Sequence, residues 1–176
     1  MVNSFIPNTI LVYDRLKEMS ILEYCILDYI NKLSKSNGNK FCGWCYMSKK
    51  KLAYNLNISE DTLLRTTKSL INRKLLEKNE LAHLRAIDWE IREGPYIIID
   101  HLASRMGATL EQSAIMASIM TKMLLEQSEF VTLNITKMSK CLNIQRTYTH
   151  RLIKQLENKS LIIRQENEFS IYPVIA

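Results

Sequence analysis

Along residues 48–79, Leu63, Thr66, Thr67 and Leu70 recur at helical spacing on one face, and Asp61, Arg65, Lys68 and Asn72 take the other. Ser48 stands where a side-chain cap would open a short helix ending at Leu56. Asn57, Ile58 and Ser59 break that pattern, and Ser59 can cap the next helix. Leu75 and Leu76, followed by Glu77 and Lys78, read as a strand. Upstream, residues 1–17 read as a short arm or strand. Ser20 and Glu23 form an S-x-x-E capping box for a helix with Leu22, Cys25, Ile26, Tyr29, Ile30 and Leu33 as its apolar stripe. Residues 35–40 predict a turn, and residues 41–47 a short strand.

Downstream, residues 80–93 alternate weakly and either complete a hairpin or begin a linker. Gly94 and Pro95 mark the clearest break. Residues 96–99 favour a strand. Thr109 and Gln112 form a second capping box, and its helix carries Leu110, Ala114, Ala117, Met120, Met123 and Leu124 as the expected stripe. Residues 130–133 predict a strand, and residues 161–164 and 169–172 predict a hairpin.

The pattern repeats. A shift of 86 positions lays residues 134–165 on residues 48–79 without a gap. Lys51, Leu56, Asn57, Ile58, Arg65, Lys68, Leu70, Asn72 and Leu75 then meet identical residues at Lys137, Leu142, Asn143, Ile144, Arg151, Lys154, Leu156, Asn158 and Leu161. Apolar matches follow from any shared helical core. Arg65, Lys68 and Asn72 lie on the polar face, so their recurrence points to two copies of one unit.

Each half reads helix, strand, helix, turn, helix, hairpin. This order resembles the winged-helix family of DNA-binding proteins, most strongly over residues 48–78 and 134–172. Residues 58–63 look like its turn-plus-helix signature and residues 70–76 like its helix-to-wing junction. The resemblance implies a mainly α fold with small β wings (α+β), arranged as two tandem winged-helix domains at residues 1–93 and 94–176. It also implies that the second helix of each unit lies in the major groove of double-stranded DNA. Two such domains in a short basic chain resemble the replication initiators and transcription regulators of phages and plasmids.

Charge sharpens this expectation. The chain of 176 residues carries a net +6. Residues 48–78 hold eight Lys/Arg against three Asp/Glu, and residues 134–164 hold seven against one, so the rest of the chain is net acidic. Positive charge gathers in the two units that would meet phosphates.

Base edges are read by Arg, Asn, Gln, Ser or Thr from the first turns of the second helix. The second copy offers Gln145, Arg146, Thr147, Tyr148, His150 and Arg151, with Lys154 further along. The first offers Ser59, Thr62 and Arg65, but also Glu60 and Asp61, and Asp61 can pair with Arg65 four residues on. Either these acids accept from cytosine amino groups, or the first copy holds DNA weakly through Lys49, Lys50, Lys51 and Lys68. The second reading is preferred.

Cys42 and Cys45 have C-x-x-C spacing, but Cys25, Cys141, His83, His101 and His150 supply no second ligand pair, so no metal or cofactor is expected. The two thiols read as buried or half-buried beside a strand. No phosphate-binding glycine loop, metalloprotease motif or nucleophile elbow occurs, so the chain reads as a non-enzyme without a small-molecule substrate. No apolar run approaches membrane-spanning length and no leader pattern opens the chain, which gives a cytoplasmic expectation, nucleoid-associated or inside a phage-infected bacterium. Self-association stays open. The competing reading is a protein-interaction or structural module on the same fold.

Overall fold

The computed structural model describes residues 8–36, 43–90, 93–99 and 106–171. The first half runs β1 (Thr9–Val12), a 3-10 turn (Tyr13–Lys17), α1 (Ile21–Ser36), α2 (Lys49–Leu56), α3 (Glu60–Asn72), β2 (Leu76–Lys78) and β3 (Leu84–Ala86). The second runs β4 (Tyr96–Ile99), α4 (Leu110–Glu126), β5 (Val131–Thr132), α5 (Ile135–Cys141), α6 (Arg146–Asn158), β6 (Ile162–Gln165) and β7 (Glu168–Ile171). The described residues form an α+β structure, helical in the main, with three small antiparallel sheets: β1–β4, β2–β3 and β5–β7–β6. None of the described helices is long and apolar enough to cross a membrane.

Local chemistry accounts for the helix starts. Ser48 Oγ accepts from Lys51 N, Ser59 Oγ from Thr62 N and Asn134 Oδ1 from Lys137 N. Both capping boxes close: Ser20 N donates to Glu23 Oε2 at 2.9 Å and Thr109 N to Gln112 Oε1 at 3.0 Å. Gln145, which opens α6, makes no such side-chain bond.

The two halves turn the chain at equivalent places. Asn57 and Asn143 end α2 and α5 at φ 52° and 53°, the left-handed region that asparagine tolerates better than most residues. Lys74 and Ser160 take the same region, at φ 58° and 54°, just after α3 and α6. There Leu75 N reaches Leu70 O and Leu161 N reaches Leu156 O, each at 3.0 Å, which closes the helix and aims the chain into its hairpin.

The contact inside each helical pair differs between halves. In the first, Ala53 on α2 and Leu63 on α3 are both buried. The 86-position shift puts Ser139 and Thr149 there, also buried, with Ser139 Oγ donating to Thr149 Oγ1 at 3.1 Å. Ser139 Oγ also reaches Ile135 O at 2.6 Å, so Thr149→Val leaves it a partner and should lower stability by no more than about 1 kcal/mol, read as a small drop in urea midpoint at unchanged slope.

Several expectations change. Of the two readings of residues 80–93, the hairpin is the one formed at its start: β3 pairs with β2, in the register Leu76 to Ala86. The strand expected at 41–47 is reduced, among its described residues, to one bridge between Cys45 and Leu84. Phe41, Cys42, His101, Tyr172, residues 1–7 and most of the 35–40 turn lie outside the described residues. On α4 the stripe holds for Leu110, Ala114 and Ala117, but Met120 is 51% and Leu124 73% exposed. The burial moves to Ile115, Met116 and Ile119, and the last turns of α4 outrun the elements that cover its start.

One hydrophobic cluster runs through both halves. Residues 96–99 form a strand as expected, and its partner is β1: Thr9 lies opposite Ile99, Ile10 opposite Ile98, Leu11 opposite Ile97 and Val12 opposite Tyr96. Gly94, at φ 145°, brings the chain into this pairing, and a Cβ there would sit 3.4 Å from Val12 Cγ1. Beneath β1, the buried Tyr24 hydroxyl donates to Ile10 O at 2.7 Å and accepts from Val12 N at 3.4 Å. Burial pushes this phenol up to about 12. Its ring meets Trp89 edge-on at 4.9 Å. On the same helix, the fully buried Asp28 carboxylate pairs with Lys32 at 2.6 Å, and Lys32 also donates to Asn8 O.

Candidate nucleic-acid interface

Helices α3 and α6 bury equivalent faces. Leu63, Thr67 and Leu70 turn inward from α3, and Thr149, Leu152, Ile153 and Leu156 from α6. Asp61, Arg65, Lys68 and Asn72 are exposed on the outer face of α3, as are Thr147, Arg151, Lys154 and Asn158 on α6. Arg146, His150 and Lys154, four residues apart, form a second exposed row on α6. The matching row on α3 is Glu60, Leu64 and Lys68, with Leu64 41% exposed.

Cations in these segments divide into engaged and disengaged groups. Arg73, just past α3, donates to Glu23 Oε1 and to Glu18 O, both at 2.8 Å. Lys159, its counterpart past α6, donates to Gln112 Oε1 at 3.0 Å and to Gly107 O. Each half thus anchors the end of its exposed helix on the capping box of its first helix. Arg85 is held by Glu77 and the Trp44 ring, and Arg164 by Glu166 O and the Phe169 ring. Lys49, Lys50, Lys51, Lys68, Arg146, Lys154 and His150, and with them Lys74, Lys78, Lys137 and Lys140, have no side-chain hydrogen bond or ion pair among the described residues. Their charge is available to an external anion, and the disengaged set lies largely on α2, α3 and α6.

Three side chains expected to face outward are otherwise occupied. Ser59 Oγ caps α3 and shares a hydrogen bond with Thr62 Oγ1 at 2.8 Å, so Ser59 and Thr62 satisfy each other. Tyr148 is half-buried against the core, with the Arg151 guanidinium 4.7 Å from its ring centroid. That contact holds the fork of Arg151 against a fixed surface and lowers the entropy it loses in a further interaction.

The expected Asp61–Arg65 ion pair does not form. Arg65 Nε points at the Asp61 backbone carbonyl, 3.4 Å away, and no carboxylate oxygen of Asp61 lies within ion-pair distance. At the helix start the Asp61 carboxylate is better placed by the exposed N–H groups of the first turn than by Arg65. The acids therefore present negative charge on this face without neutralising Arg65.

A shallow groove separates the α2–α3 pair from its hairpin, with Leu63, Leu64, Ile71 and Leu84 as its floor and Lys49, Lys68 and Lys78 at its rim. Spacing and period had no means to reveal this groove, or the anchoring of Arg73 and Lys159. Both depend on elements far apart in the chain.

Cys25 and Cys45 are buried, and burial pushes both thiols up. Cys141 is half-exposed. No cluster of three His, Cys, Asp or Glu groups suited to a metal occurs among the described residues. Iodoacetamide at neutral pH should label Cys141 in the folded chain and reach Cys25 and Cys45 only after denaturation, as peptide mass mapping would record. Equal labelling of Cys25 under native conditions would contradict the burial of α1. Compared with family models, curated proteins and solved structures, the chain finds no match.

Proposed function

We propose that the chain is a DNA-binding protein made of two tandem winged-helix units, acting as a replication initiator or transcription regulator of a phage or mobile element. The observation that carries this reading is the outer face of α6. Arg146, Thr147, His150, Arg151 and Lys154 stand exposed there on a helix whose other face is locked into the core. An exposed helix face with such a row suits a major groove, with Arg and Thr toward base edges and Lys toward phosphate. In this reading α3 supports binding through Lys49, Lys50, Lys51 and Lys68, and its acidic start reduces its share.

Titration with random duplex DNA across a salt series tests the reading. Binding should weaken steeply as salt rises, with a log–log slope reflecting several displaced counterions. Affinity independent of salt, or none at low salt, would remove nucleic acid as the partner. A specific observation favours a second reading, a protein partner: Leu124 and Leu125 at the end of α4 are 73% and 79% exposed.

A further inference from the structure

The two halves are joined as a symmetric pair is joined. β1 and β4 hold equivalent places, each leading toward the capping box of its half's first helix. They pair antiparallel, so Thr9 meets Ile99 while Val12 meets Tyr96. Pairing equivalent strands in this way is isologous, the mark of a two-fold relation. A separate pair of contacts repeats it. Asn57 Nδ2, in the turn between α2 and α3, donates to Ala108 O at 3.0 Å, just before α4. Asn143 Nδ2, in the turn between α5 and α6, donates to Leu16 O at 2.7 Å, shortly before α1. Each turn asparagine thus reaches across to the approach of the other half's first helix. A head-to-tail tandem would make one of these contacts and not its reciprocal.

The packing order extends the relation to the outer helices. α3 packs on α1, α1 on α4 and α4 on α6. Packed helix axes lie about 8–10 Å apart, so three steps put at most about 25–30 Å between α3 and α6.

Resting on the DNA-binding reading above, we infer that the chain recognises one duplex through two half-sites in inverted orientation and unequal in sequence. The inversion follows from the two-fold relation. The inequality follows from the helix starts: α3 opens with Glu60 and Asp61, and α6 opens with Arg146 and Thr147. A palindrome would mismatch one of them.

The test uses the full chain and the duplex it selects from a random pool. Footprinting and titration then compare that duplex with three altered forms: one half-site reversed in place, the halves separated by about five further base pairs, and the weaker half randomised. Reversal, separation and randomisation should each reduce affinity to the same level, about tenfold or more below the selected duplex. Arg151→Ala should relax preference in one half-site only. Equal binding of direct and inverted arrangements, a footprint confined to one half-site, or one chain holding two duplexes would overturn the inference and leave DNA binding in place. Absence of any selected sequence, with no salt-dependent binding to random duplex, would overturn the functional reading beneath it.

Discussion

Replacing Arg151 by Ala should reduce binding to the selected duplex by about tenfold to a hundredfold while changing random-duplex binding far less. Arg151 is exposed near the middle of α6, and its guanidinium is braced on Tyr148, 4.7 Å from the ring centroid. A braced planar fork can pair with both acceptors of guanine, which a lysine cannot match. Arg151→Lys should therefore lose nearly as much specificity as Arg151→Ala and keep most of the non-specific affinity. Arg146→Ala, in the first turn of α6, should behave similarly. Arg65→Ala should cost less, because Glu60 and Asp61 stand exposed at the start of α3 and repel phosphate. Parallel titrations of the variants against selected and random duplex, at one salt concentration, measure the contrast. A loss of sequence preference in Arg65→Ala, with Arg151→Ala unaffected, would reverse the roles of the two halves.

Lys32→Met should destabilise the chain by about 3 kcal/mol, at the lower end of the range for breaking a buried pair. The Asp28 side chain is fully buried, whereas Lys32 retains 25% exposure, so water can reach part of the exposed charge. Asp28 Oδ1 has no hydrogen-bond partner among the described residues, which leaves Lys32 as the main support for this carboxylate. Removing the ammonium also frees Asn8 O at the foot of β1. The double variant Asp28→Leu with Lys32→Met removes both charges and should recover most of the loss, because an apolar pair of similar volume carries no desolvation penalty. Urea unfolding of the three proteins measures this. A single variant as stable as the parent, or a double variant no better than the single, would show that the pair is not the support of Asp28.

Local signals were the legible part of the sequence. Ser48, Ser59, Asn134 and the two capping boxes acted within four residues of themselves, and each formed the predicted bond. The burial of Leu63, Thr67 and Leu70 followed from spacing alone. Pairing between residues far apart left no local trace: nothing in four residues at Thr9–Val12 names Tyr96–Ile99 as their partner. Exposure at Met120 and Leu124 was misread for a related reason, since periodicity describes a helix face and not the length of its cover. At the candidate interface, residue type and helix face placed Arg146, Thr147, Arg151 and Lys154 outward correctly. Sequence could not anticipate that Ser59 and Thr62 bind each other, or that Arg65 turns to a carbonyl.

The β1–β4 pairing also has a consequence for dose. A symmetric reader assembled from separate subunits falls apart on dilution, so its active fraction rises with more than the first power of concentration. Here both members of the pair arrive on one polypeptide, and the strands that join them are part of its fold. The paired form persists at any dilution that the fold itself survives. If the proposed DNA binding holds and one chain is the binding unit, occupancy of a target would rise in simple proportion to copy number at low levels, without the threshold that dimer assembly imposes.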